Sequence, residues 1–288
     1  MRLPKLRLSV AFTLLMSGCS STAFLYNRLD FLLPLYVDDY VELSREQKQS
    51  LDRTLNPFLE WHRKEELPRY REFLGRLEES LDRPLVMADA EWIFGEVEVG
   101  WQRLEKEALR WMLDLGTRLS EQQITVFLSG LRERQRDLQH EYLPRTDLQF
   151  REDSYDSLMD NFEDYLGSLN HDQRTELKEA SSALLRIDVQ WLEERSSWLT
   201  KLEGLLQREP GWQDRHTEAV VSRQESAPAQ YRESYAQNIT IIKGTMIRVL
   251  NNRTPEQDRR LRKKAVRLKR DLNKLVQLAG ESRVAGLD

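Results

Sequence analysis

The chain has 288 residues, of which 40% are hydrophobic and 32% are charged, with only 12 Gly and 9 Pro. Sandwiches and barrels use more Gly and Pro in their turns, so this composition favours helices. One Cys and four His exclude a disulfide scaffold and a thiolate zinc site, and we expect neither a bound metal nor a cofactor. A mean hydropathy of −0.65 excludes a polytopic membrane protein.

Residues 1–18 have the features of an export signal. Three basic residues precede an apolar run over 8–16 that is too short to span a bilayer, and two small residues then precede Cys19. The run 15–19 resembles the signal of bacterial lipoproteins. That resemblance implies cleavage before Cys19 and acylation of both its thiol and its new amino group. An ordinary secretory signal with a bystander cysteine is the alternative.

Lipidation at Cys19 would determine where the protein resides. Several acyl chains hold a protein stably at a membrane, whereas one chain holds it marginally. Ser20 and Ser21 follow the cysteine where an Asp usually marks inner-membrane retention, so the resemblance implies the periplasmic face of the outer membrane of a Gram-negative bacterium. Removal of 1–18 leaves 41 basic and 48 acidic residues, and this mild acidity argues against nucleic acid as a partner.

The rest of the chain repeats one helix-start pattern, in which a capping oxygen is followed three residues later by Gln. A leucine precedes three of the four copies, in the position of a hydrophobic staple. The copies are 44–47, 120–123, 170–173 and 254–257.

The first two copies belong to a longer repeat. Ser44 lies 24 residues before Pro68, Ser120 lies 24 residues before Pro144, and each proline follows a leucine. This spacing predicts a diverged repeat in which a capped helix is broken at a proline and continued by a second helix. Two independently capped helices are the alternative.

We therefore predict an all-α fold, an elongated multi-helix bundle with a diverged helical-hairpin repeat. A lipidated N-terminus and membrane-proximal helix at 19–43 would precede a helical domain at 44–288, with repeat-like units 44–119 and 120–195 and closing helices in 214–279. The predicted helices are 23–41, 44–66, 69–82, 88–117, 120–142, 148–167, 170–207, 214–250 with a break at Pro228, and 254–279.

Two groups of residues are candidates for interaction. Trp61, His62 and Arg63 lie beside the predicted break at Pro68, and Trp212 after Pro210 is likewise a candidate for exposed function. The other group is basic and lies on the last helix, whose apolar seam would face the bundle. Its cations would then face anionic lipid, the acidic segment 147–188 of this chain, or solvent. Its members are Lys263, Lys264 and Arg267. Four other tryptophans, Trp101, Trp111, Trp191 and Trp198, fall on helix seams and are expected in the core.

Catalytic and metal motifs are weak. Asp137 and His140 form one acid–histidine pair where a di-iron bundle needs two. Glu65, Glu66 and Glu141 would support a hydrolase only if they met in one aromatic-lined cleft. Asp188 and Arg195, one heptad apart, are expected to form a buried structural pair. We predict no catalytic, cofactor-binding or metal residues.

Two runs just after Cys19 add to these features: Tyr-Asn-Arg-Leu-Asp at 26–30 and Val-Asp-Asp-Tyr-Val at 37–41. Together with the signal and the Gln-containing helix starts, they resemble a family of proteobacterial outer-membrane lipoproteins of unknown function. The resemblance implies an all-helical lipoprotein and no activity. We therefore expect a non-enzymatic helical adaptor that binds another envelope protein. An envelope hydrolase using carboxylates, or a protein that binds lipid or lipopolysaccharide, is the alternative.

Overall fold

The computed structural model describes residues 26–284, and every regular element within those residues is a helix. The all-α prediction is thus confirmed. The signal peptide and Cys19 lie outside the described residues. In chain order the helices are α1 (Leu29–Val41), α2 (Arg45–Trp61), a π-helical turn (His62–Glu66), α3 (Leu67–Ser80), α4 (Met87–Arg118), α5 (Glu121–Tyr142), α6 (Asp147–Leu166), α7 (His171–Ala183), α8 (Asp188–Leu205), α9 (Trp212–Val221), α10 (Arg223–Ser226), α11 (Ala229–Asn251) and α12 (Pro255–Val284).

All four predicted capping boxes form, and a fifth was missed at Thr146, which caps α6 through Gln149. In each box the cap oxygen accepts a hydrogen bond from the backbone N–H of the Gln, whose side chain accepts one from the cap's N–H. The three leucines that precede the caps, Leu43, Leu119 and Leu169, are buried as staples.

The glutamines of the capping boxes also join helices that are distant in sequence. Gln47 and Gln123 are hydrogen-bonded to each other at 2.9 Å, Gln47 Nε2 donates to the carbonyl of Arg118 at 2.7 Å, and Gln123 Nε2 donates to that of Val41 at 3.1 Å. Gln47 therefore caps the C-terminal end of α4, the helix that precedes the Gln123 box. Gln123 likewise caps the C-terminal end of α1, the helix that precedes the Gln47 box. We call this reciprocal arrangement the first glutamine clasp.

A second glutamine clasp repeats the arrangement at the other two boxes. Gln173 and Gln257 are hydrogen-bonded to each other at 3.0 Å, Gln257 Nε2 donates to the carbonyl of Ser168 at 2.9 Å, and Gln173 Nε2 donates to that of Val249 at 3.1 Å. Both glutamines are buried. The four helix-start patterns thus form two pairs, and each pair is a junction of four helix ends.

The apolar cores surround these two junctions. One cluster packs Val41, Leu51 and Leu55 beside the first clasp, and a second packs Leu177 and Val249 beside the second clasp. Smaller clusters join α3 to α12 and α5 to α8. The predicted seam of α12 is buried at three of its leucines, Leu268, Leu272 and Leu275.

Two predicted helices contain breaks that the sequence pattern did not predict. The predicted helix 170–207 is two helices, because the backbone leaves the helical path after Ala183. There the side chain of Asn238 in α11 replaces helical hydrogen bonds: its Oδ1 accepts from the N–H of Leu185 and its Nδ2 donates to the carbonyl, each at 2.8 Å. The expected break of 214–250 at Pro228 is present, with a further break at Ser222.

Pro68 does not end a helix, contrary to the prediction. The chain stays helical from α2 into α3 through the π-helical turn, in which the N–H of Leu67 donates to the carbonyl of His62 five residues back. A proline donates no N–H and crowds the preceding turn, and the wider π turn accommodates this change of register. At Pro144 the helix does end, and α6 begins with its own cap.

Candidate functional site

The π-helical turn is the first candidate site, because π turns inside α-helices are rare and often occur at functional positions. It contains His62 and Arg63, two of the three residues proposed from the sequence as the first interaction group. The third, Trp61, immediately precedes the turn. All three are half-buried. Trp61 packs on Phe58, with ring centroids 5.9 Å apart.

Glu66 is the most deeply buried charge of this turn, with no exposed surface. Arg103 from α4 binds it in a bidentate manner, with Nε 2.7 Å from Oε1 and Nη2 2.9 Å from Oε2, and Arg69 adds a contact at 2.5 Å. Burial acts to raise the pKa of Glu66, but the hydrogen bonds and charges of Arg103 and Arg69 outweigh it and hold the pKa below 4.5. The carboxylate is therefore ionised, and both of its oxygens accept hydrogen bonds from arginine.

His62 links the turn to the start of the described chain. Its Nδ1 lies 2.8 Å from the hydroxyl of Tyr26, and its Nε2 lies 3.5 Å from that of Tyr70. Burial lowers the pKa of His62 to about 4, so the imidazole is neutral at pH 7. Burial likewise raises the pKa of both tyrosines to about 12. Arg63 completes the contact with its guanidinium 5.3 Å from the centre of the Tyr26 ring.

The contacts around Tyr26 form a structural clamp rather than a catalytic pair. We use the name clamp for Tyr26 together with His62, Arg63 and Tyr70. Glu66 has its oxygens occupied by two guanidinium groups, and the ring nitrogens of His62 face two tyrosine hydroxyls. The clamp holds Tyr26 between the turn and α12, where Tyr26 also packs on the α3–α12 cluster. The clamp thus holds the start of the described chain against the body of the protein.

The three carboxylates considered for hydrolysis have different environments. Glu66 is buried, whereas Glu65 and Glu141 are exposed. Glu141 lies in the last turn of α5, beside the Tyr142–Trp191 cluster, and not at the π-helical turn. Within residues 26–284 no group of three or more His, Cys, Asp or Glu side chains is arranged to hold a metal ion.

The basic residues of α12 differ in their surroundings. Lys263 is exposed, whereas Lys264 and Arg267 are half-buried. Lys264 donates to the carbonyl of Asp164 in α6 and lies over the ring of Tyr165, 5.1 Å from its centre. Burial lowers the pKa of Lys264. This part of the basic helix therefore contacts the acidic segment of its own chain.

Two other expectations need correction. Asp188 is buried, but its partners are Arg145 at 2.7 Å and Arg186 at 3.0 Å, while Arg195 lies elsewhere, near Arg223. Trp212 was a candidate for exposed function and is instead buried in the core around the first clasp. Of the seam tryptophans, Trp191 is buried, and Trp101, Trp111 and Trp198 are half-buried.

Helix α1 is the second candidate site, and sequence reasoning missed it. It is apolar on both faces: Leu33, Val37 and Val41 pack inward on the first core, whereas five large side chains point to solvent. A helix that is hydrophobic all round is normally covered on all sides. We call the exposed set the α1 strip; it consists of Phe31 (60% exposed), Leu32, Leu35, Tyr36 (60% exposed) and Tyr40.

The α1 strip borders a groove between α1 and α2 of about 440 Å³. Asp30, Asp38 and Asp52 contribute carboxylates to it, and Lys48 is its single cation. Lys48 is held 2.8 Å from Asp38. Hydrogen bonds from Lys48 and from the N–H of Leu43 lower the pKa of Asp38, which keeps it ionised. The α1–α2 groove is thus apolar along one side and acidic overall.

No helix between residues 26 and 284 combines the length and apolar character needed to cross a membrane. Comparison with curated proteins gave no match, and comparison with solved structures gave none. One family model matches, over residues 39–232, which run from the end of α1 into α11. The chain therefore belongs to a family of unknown function, DUF6279.

Proposed function

We propose that this chain is a lipid-anchored, non-enzymatic adaptor that faces the periplasm from the outer membrane of a Gram-negative bacterium and binds another protein of the envelope. The α1 strip is the observation that carries the adaptor role. Five large apolar side chains are exposed on one helix, and a contiguous patch of this kind marks an interaction surface.

The position of α1 suits an interaction close to the proposed anchor. The segment 20–28 separates Cys19 from the first residue of α1, and nine residues span at most about 30 Å when extended. The clamp on Tyr26 holds the start of α1 against the body of the protein. An acylated Cys19 would therefore keep the α1 strip near the membrane surface, within reach of other envelope proteins.

The state of Glu66 supports a role other than catalysis. A general acid or base must be free to exchange a proton with substrate, whereas Glu66 is inaccessible and bound by two arginines. The buried carboxylate instead joins α3 and α4 at the π-helical turn. This arrangement suits a rigid scaffold.

Two experiments test the proposal. Labelling of cells with a palmitate analogue should modify the protein, and Cys19→Ala should abolish the label. Chemical crosslinking in intact cells, followed by mass spectrometry, should recover a neighbouring envelope protein. Unchanged labelling of Cys19→Ala would contradict the anchor. Turnover of a cell-wall substrate by the purified chain, without any protein neighbour, would contradict the adaptor role and favour the hydrolase.

Contact with lipid or lipopolysaccharide phosphates is a second candidate, favoured by the cations on the outer face of α12. The exposed ones are Arg259, Arg260, Lys263, Arg270 and Lys274. Such a contact would be electrostatic and weakened by salt. Binding to vesicles containing anionic lipid should then fall with salt and with Lys263→Glu, and salt-insensitive binding would exclude this candidate.

A further inference from the structure

We infer that the α1–α2 groove docks a basic amphipathic helix of the partner protein. The inference rests on the proposed adaptor function and specifies the chemistry of the partner. It starts from the composition of the surface, in which aromatic and aliphatic side chains of the α1 strip border the carboxylates of the groove.

The shape of the surface suits a helix. The α1 strip extends over ten residues, from Phe31 to Tyr40, which corresponds to about 14 Å along the helix axis. An amphipathic helix offers apolar side chains at intervals of three and four residues and covers such a length with about three turns. Phe31 and Leu35 belong to both the strip and the groove, so one docked helix can cover both.

The charges of the groove indicate that the docked segment of the partner is positively charged. The groove is lined by three carboxylates and one cation: Asp30, Asp38 and Asp52 against Lys48. Lys48 is already bound by Asp38. Asp30 and Asp52 are exposed, and so is Asp39 on the outer side of α1. Lysines or arginines beside an apolar stripe would therefore find carboxylates along the groove and, at Asp39, near the C-terminal end of the strip itself.

The same carboxylates disfavour the other occupants of an apolar face. A bilayer would bring Asp30 and Asp39 against headgroup phosphates or apolar chains, which repel or desolvate a carboxylate. A second copy of this chain, packed through the same groove around a two-fold axis, would place an acidic groove against an acidic groove. A cationic helix relieves the charge instead.

Site-specific photocrosslinking in intact cells tests the inference. A benzophenone amino acid replaces Tyr36, at the edge of the strip, in the full-length chain. We expect a protein adduct whose crosslinked segment is amphipathic and carries net positive charge. Asp30→Lys combined with Asp52→Lys should lower the adduct yield about fivefold or more. The matched control, Asp156→Lys combined with Asp160→Lys at exposed positions of α6, reverses the same number of charges away from the groove and should leave the yield unchanged.

Several outcomes would overturn the inference. A lipid adduct would identify the bilayer as the occupant, a crosslinked dimer would identify a second copy, and an acidic or neutral partner segment would contradict the charge argument. Absence of any adduct at both Tyr36 and Leu35 would show that the strip is uncovered. Recovery of a protein neighbour by general crosslinking, without an adduct from α1, would leave the adaptor function intact and place docking elsewhere.

Discussion

Loss of Arg103 should destabilise the protein more than loss of the whole Glu66–Arg103 pair. Arg103→Met removes both hydrogen bonds of the bidentate contact and leaves Glu66, with no exposed surface, facing only the half-exposed Arg69. Breaking a buried ion pair in this way costs about 3–5 kcal/mol, because an uncompensated charge stays buried. Glu66→Leu combined with Arg103→Met removes both charges and should lie within about 1 kcal/mol of the parent protein.

Urea unfolding of the full-length chain in detergent, followed by helical circular dichroism, measures these differences. The pH dependence provides a second readout. In the parent protein the pKa of Glu66 is below 4.5, so the pair contributes stability above pH 4.5 and loses it as the pH falls. In Arg103→Met, burial raises the pKa of Glu66. The loss of stability relative to the parent protein should therefore become smaller as the pH falls towards 4.5. A loss of stability below about 1 kcal/mol in Arg103→Met, or a double variant no more stable than this single one, would contradict a buried ion pair at Glu66.

Three further predictions concern the clamp, the first clasp and α12. The pKa of His62 is about 4 against an ordinary 6.5, so its neutral form contributes stability that is complete above pH 6.5 and lost as the pH falls towards 4; His62→Phe should flatten this part of a urea-midpoint titration. Gln47→Ala should cost about 0.5–1.5 kcal/mol by removing the hydrogen bonds to the carbonyl of Arg118 and to Gln123, and adding Gln123→Ala should cost less than the sum of the two single losses in a double-mutant cycle. Leu268→Asp should lower the melting temperature strongly, whereas Lys263→Glu should change stability by less than about 0.5 kcal/mol.

The sequence predicted the local features of the fold and missed those that depend on distant residues. The capping boxes could be predicted because Ser44 and Gln47 lie within one turn and satisfy each other. Their pairing into clasps could not, because Gln47 and Gln123 are 76 residues apart. The break after Ala183 was hidden for the same reason.

Asn251 shows the same limit at a second loop. Its amide binds the N–H and the carbonyl of Leu85 across 166 residues, at 2.8 and 2.9 Å, much as Asn238 binds Leu185. Both asparagines lie on α11 and supply hydrogen bonds to loops that would otherwise lack them. The hydrophobic periodicity of a segment gives no information about hydrogen-bond partners this far away in the sequence.

The candidate site was only partly predictable from sequence. His62 was selected for its place beside Pro68, but its burial against Tyr26 and the ion pair of Glu66 with Arg103 depend on tertiary packing. The α1 strip does leave a signal in the sequence. Residues 29–41 carry large apolar side chains around the whole helix, interrupted by Asp30, Asp38 and Asp39, and the helix is too short to span a bilayer. This pattern is itself a sign of a missing neighbour.

Chemical accessibility of α1 in living cells tests the adaptor account most directly. A maleimide that reaches the periplasm should modify Leu35→Cys slowly in intact cells and quickly in the purified protein. Leu148→Cys, at a site 66% exposed on α6, should react quickly in both. We expect this selective protection because a docked partner covers the α1 strip in the envelope. Equally fast modification of Leu35→Cys in cells and in the purified protein would contradict it.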